Sequence, residues 1–199
     1  MSTTDERRAA IALLLGVIAP LLIMGMHPTG ADITSGGGRL VLINHMVHGV
    51  SLAAQPVVFL GLLGVWRSSR SDVATAALVF YAFGIVAILS AATLSGFVAP
   101  ELVSDRVLLG LTYELNQAFA KVSVAAIGAS LILWGVALRF ARLPAAAGVI
   151  IGAVLVLGVL TGWLHLSASG IVIVTLLQGV WIVLVAAHLL REGSNGGDV

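Results

Sequence analysis

Six long apolar runs, separated by short polar connections, leave this chain few folds to choose from. They read as Ala9–Met26, Leu40–Trp66, Val73–Val98, Val107–Arg139, Ala145–His165 and Ile171–Leu190. Each approaches or exceeds the roughly 18–20 residues that an α-helix needs to cross a bilayer. Within hydrocarbon the backbone must satisfy its own hydrogen bonds, so runs of this kind are helices. The expected fold is all-α, a polytopic bundle of six transmembrane helices in a single domain over residues 1–190. A short flexible tail, residues 191–199, follows it. Composition agrees, since only 10% of the residues are charged and 59% are hydrophobic, whereas a soluble domain carries about 25% charged residues.

The punctuation is local. Pro20 and Pro56 fall inside the first and second runs and are expected to kink them. His27-Pro28-Thr29-Gly30 closes the first run, Gly36-Gly37-Gly38 marks the loop before the second, and Pro100 is expected to stop the third. The first run follows Arg7 and Arg8 as a signal peptide does, but no small-x-small cleavage site precedes Met26, so it reads as a retained helix. Gly148-x-x-x-Gly152 and Gly158-x-x-x-Gly162 in the fifth run allow close helix approach. The simpler expectation is packing inside the bundle, and an oligomer through this helix is the rival one.

Orientation follows from the cations in the connections. Arg7, Arg8, Arg67, Arg70, Arg139, Arg142 and Arg191 fall on one side, Arg39 and Arg106 on the other. The positive-inside rule then places both termini in the cytoplasm of a multi-pass cell-membrane protein. No basic cluster points to nucleic acid. The absence of cysteine excludes disulfides, thiolate metal sites and iron–sulfur clusters.

Function is sought among the ionisable groups, because these are costly inside a membrane segment and mark sites there. Asn44-His45-Met46-Val47-His48 places two imidazoles three residues apart in an apolar run. Asn44, His48, Leu52 and Gln55 form one helix stripe, and Glu114, Gln117 and Lys121 form another. His27 and His165 end their helices on the same outward side, and Ser90, Thr93 and Ser95 add hydroxyls there. His188, beside Arg191 and Glu192, reads as an interfacial residue of the opposite end.

The leading expectation is an outward-facing metal centre for redox or hydrolytic chemistry. Its ligands would be drawn from His27, His45, His48 and His165, with Glu114 and Lys121 as catalytic groups. Imidazole and carboxylate suit zinc, iron or copper. Two of the histidines could equally hold haem b, with Asn44 and Gln117 orienting ligands and Arg39 and Arg106 on the propionates. A redox partner or a small-molecule substrate would reach the site from the outward face, and lipids surround the rest. Two rivals stand beside this. One is a small transporter or proton pathway that uses His48, Glu114 and Lys121 without a metal. The other is a structural or accessory membrane subunit. No Gly-x-x-x-x-Gly-Lys loop, His-Glu-x-x-His pair or nucleophile elbow is present.

Overall fold

The computed structural model describes residues 3–27, 38–139 and 141–195. The turn Pro28-Thr29-Gly30, Gly36 and Gly37 of the first loop, and residues 196–199 of the expected tail lie outside the described residues. Six helices carry the fold: α1 (Thr3–Met24), α2 (Gly38–Ser69), α3 (Asp72–Thr93), α4 (Arg106–Ala137), α5 (Arg142–Leu160) and α6 (Ala168–Asn195). All six lie in segments long and apolar enough to cross a membrane, and no strand occurs among the described residues.

The helix ends have local causes. Asp5 and Glu6 in the first turn of α1 favour a start at Thr3 rather than Ala9, since negative charge suits a helix N-terminus. The Ser71 hydroxyl caps α3 by accepting the Ala74 amide at 3.2 Å. The Asp105 carboxylate caps α4 by accepting the amides of Val107 and Leu108, each at 3.1 Å.

Three further boundaries differ from the sequence reading by four residues or more. The third run does not stop at Val98. Its α-helix widens into a π turn over Leu94–Val98 and then tightens into a 3-10 turn over Ala99–Leu102. Pro100, which has no N–H to lose, fits the first turn of the latter. Helix α5 ends at Leu160, five residues short of His165, because Gly162 adopts φ +71° and turns the chain out of the helix. Helix α6 continues past Leu190 to Asn195, supported by a His188–Glu192 contact of 3.4 Å one turn apart. The tail expected to be flexible from Arg191 is therefore helical in its first residues.

Each helix packs on the next in sequence, and α6 returns to α1, so the bundle closes into a ring. The α1–α2 seam runs antiparallel: Gly16 meets Val58, Leu13 meets Gly61 and Ala9 meets Gly64. Both glycines of Gly148-x-x-x-Gly152 are spent inside the chain. A Cβ on Gly148 would stand 2.7 Å from the Leu131 carbonyl, and one on Gly152 would collide with the Gly128 carbonyl. The α4–α5 backbones thus approach as closely as small residues permit.

The half of the ring near the termini is filled by large side chains. Trp134, Trp181, Tyr81, Leu13, Leu62 and Leu131 are fully buried there. The outer surface is apolar along the helices, with Leu15, Leu60, Val86 and Ile150 all more than 60% exposed. That surface suits lipid and would be poorly solvated in water.

Candidate functional site: a cavity between five helices

The other half of the ring is not filled. A cavity of about 700 Å³ lies there, walled by α1, α2, α4, α6 and the α3 segment with its π turn. Arg106 and Val103 stand at one end of it, and Gln178 and Ile127 at the other. Its volume is in the range of sites that hold small organic molecules. Much of the wall is small or apolar: Pro20, Val47, Ala91, Ala92, Ala120 and Val124.

Helix α2 supplies the polar wall through one face. Asn44, His48, Ser51 and Gln55 follow at steps of three and four, which align side chains along a helix. Ser51 takes the place that the sequence reading gave to Leu52. Asn44 is fully buried, and its amide donates to the carbonyls of Ser95 at 3.1 Å and Gly96 at 3.0 Å. These carbonyls belong to the π turn, so α2 holds the irregular end of α3 in place.

His48 completes that attachment. Its Nδ1 is 2.9 Å from the Asn44 carbonyl oxygen, and its Nε2 is 2.9 Å from Ser95 Oγ. A carbonyl only accepts, so Nδ1 carries the proton, and in the neutral ring Nε2 is an acceptor within reach of the Ser95 hydroxyl, whose single proton it shares with the Ala91 carbonyl at 3.1 Å. Gly96 makes room: a Cβ there would lie 2.5 Å from His48 Cβ and 2.6 Å from Cγ. The His27 ring meets His48 edge-on, with centroids 5.0 Å apart and planes at 62°.

On α4, Glu114 lines the cavity and is exposed. Gln117 donates to the Leu166 carbonyl at 3.2 Å, which ties the α5–α6 connection over the cavity. Asn116 donates to the Ala91 carbonyl at 2.7 Å. At the deep end Gln178 donates to the Tyr81 hydroxyl. Three residues of the wall keep a buried polar atom with no hydrogen-bond partner among the described residues: Asn44 Oδ1, Gln55 Oε1 and Ser123 Oγ.

The expected site residues therefore divide. His27, Asn44, His48, Arg106, Glu114 and Gln117 line one cavity. His45 does not; its ring stacks on Phe97 at 5.1 Å, with Nε2 buried and without a partner among the described residues. His165, Lys121 and Arg39 are exposed and lie outside the lining. His165 leaves because α5 ends before it. Glu114 and Lys121 form no ion pair with each other.

Among the described residues no group of three or more His, Cys, Asp or Glu side chains is placed to share a metal ion. A metal on His48 Nε2 would have to displace Ser95. Sequence reasoning missed Ser51, Thr112 and Ser123 as wall residues, and it missed the pairing of Ser95 with His48. The one signal for the pairing was Ser95-Gly96 shortly before Pro100, a place where a helix is easily opened. Comparison of the chain with known protein families, with curated proteins and with solved structures finds no match.

Proposed function

We propose that this chain is a multi-pass cell-membrane protein that binds a small amphipathic molecule in the cavity between α1, α2, α3, α4 and α6. The observation that carries the reading is the wall itself. It is mostly apolar, yet Asn44, His48, Ser51 and Gln55 run along one side of it as a polar stripe. An occupant with an apolar body and a hydrogen-bonding head would match both. Of the functions expected from the sequence, the pathway without a metal stands closest to this arrangement, with Lys121 removed from it.

The cation distribution supports an orientation with both termini in the cytoplasm and the cavity's Arg106 end facing outward. The chain has no cysteine, so single cysteines report cleanly. Cysteine at Ser35 should react with an impermeant maleimide on intact cells and cysteine at Ser69 should not; the reverse pattern inverts the orientation.

Binding is tested by thermal unfolding of the purified protein against a fatty acid, a fatty alcohol, a monoacylglycerol and an isoprenoid alcohol. A ligand at 100 times its Kd stabilises by about 2.7 kcal/mol. At least one class should raise the Tm of the wild type and raise that of Ala120→Phe less, since its phenyl ring intrudes on the cavity. Equal responses of the two proteins would place binding elsewhere.

A further inference from the structure

We propose that Ser95 and His48 form a catalytic dyad for acyl transfer from an ester group of the molecule held in the cavity. The proposal rests on the binding reading above and goes beyond it to a reaction. Three features carry it.

The first is the order of hydrogen bonds. Ser95 Oγ, His48 Nε2, His48 Nδ1 and the Asn44 carbonyl form a chain with 2.9 Å at both ring nitrogens. Nucleophile, base and a third group that orients the base are the parts an activated serine requires. The Asn44 carbonyl fixes the proton on Nδ1 and leaves the Nε2 lone pair facing the hydroxyl, which is the tautomer a general base needs.

The second is placement. His48 is 7% exposed and held by the ring contacts described above, while Ser95 is half-buried and lines the cavity. The base is thus fixed and the nucleophile reachable. Ser95 is the second residue of the π turn, whose backbone Asn44 clamps through the carbonyls of Ser95 and Gly96. Such turns recur at functional sites.

The third is a donor for the developing charge. Asn116 Nδ2 lies 2.7 Å from the Ala91 carbonyl oxygen, and Ser95 Oγ lies 3.1 Å from the same atom. The amide nitrogen and the hydroxyl oxygen are therefore within 5.8 Å of each other, the two lengths laid end to end. Asn116 uses one N–H on Ala91, and the second is available to an oxyanion formed at Ser95.

The step follows from these positions. Ser95 Oγ attacks the ester carbonyl carbon as its proton passes to His48 Nε2. A C–O bond forms, and the carbonyl oxygen becomes an oxyanion held by the Asn116 amide. The intermediate collapses, the ester C–O bond breaks, and the leaving alcohol takes the proton from Nε2. Water then repeats the sequence on the acyl-serine and releases a carboxylic acid. The alternative role is a structural one, in which Ser95 bonds back to Ala91 and His48 only ties α2 to α3.

An alkyl fluorophosphonate, applied to the full-length purified protein, separates the two. Mass spectrometry should find one adduct on the peptide containing Ser95. Ser95→Ala should remove it. His48→Gln, in protein shown to be folded by its Tm, should label at least 100-fold more slowly, the lower end of what a general base contributes. Ala120→Phe should slow labelling with the dyad itself unchanged. No adduct at Ser95 in the wild type, or wild-type labelling of His48→Gln, overturns the dyad. Amphipath-dependent Tm shifts that persist without an adduct would leave the cavity reading standing and remove only the reaction.

Discussion

The two halves of the ring are built by opposite means. Near the termini the space is closed by Trp134, Trp181, Tyr81 and Leu131, with Trp134 Nε1 buried and without a hydrogen-bond partner among the described residues. Trp181 Nε1 donates to the Pro144 carbonyl at 3.1 Å, and Ser130 to the Ala77 carbonyl at 2.7 Å. The α4–α5 backbones meet there on glycine. In the other half the helices diverge around side chains of alanine, serine, asparagine and histidine, and the α-helix of α3 is opened into a π turn. One half spends its sequence on packing and the other on leaving room. Apolar burial between helices gains little over contact with lipid, so packing and hydrogen bonds decide both halves. The packed half is therefore expected to hold the fold while the open half tolerates change.

Substitutions can break or sharpen that contrast. The largest loss is expected at Trp181→Ala, which removes a fully buried indole and its hydrogen bond to the Pro144 carbonyl. Core tryptophans truncated to alanine cost about 3–5 kcal/mol, and the loss should appear in thermal or denaturant unfolding with any bound ligand removed. A cost under about 1 kcal/mol, within the range of neutral surface changes, would show that this half does not carry the fold.

Gly96→Ala should come next. Its methyl group would enter the space of His48 Cβ and Cγ, so either the ring or the π turn must move. Overpacking of this kind costs about 1–3 kcal/mol. Fluorophosphonate labelling at Ser95 should fall with it, whereas unchanged labelling would mean that the His48 seat is not needed.

Ala120→Phe should change stability by less than about 1.5 kcal/mol, because it adds volume where volume is free. A severe loss of stability there would indicate that the cavity is closed in the working protein. The smallest effects belong to Lys121→Ala and His165→Ala, both exposed and outside the lining. Neither should move stability by more than about 0.5 kcal/mol, nor alter amphipath binding. Loss of binding in Lys121→Ala would restore this lysine to the site.

Much of the architecture was legible in the sequence, for a physical reason. Hydrocarbon leaves a spanning backbone only the helix, so the six apolar runs sufficed. Less was legible at the helix ends, where one residue decides. Gly162 ends α5 early and so carries His165 away from the cavity, and nothing in the periodicity of the fifth run announces this. The stripe on α2 was read nearly as it stands, because residues three and four apart share a face whatever the neighbours are. Lys121 shares the Glu114 and Gln117 spacing, yet it leaves the lining one turn further along α4. The π turn was beyond reach. Ser95-Gly96 ahead of Pro100 is its one trace in the sequence, and the turn decides that Ser95 stands at His48 Nε2 in this structure.

The central claim is that the open half is built around an occupant. Native mass spectrometry of the protein released from its own membrane, wild type beside Ala120→Phe at matched Tm, tests this most directly. The account predicts a small amphipathic molecule retained at one per chain by the wild type and at lower occupancy by the variant. No retained molecule in either protein, or the same molecule at equal occupancy in both, would contradict it.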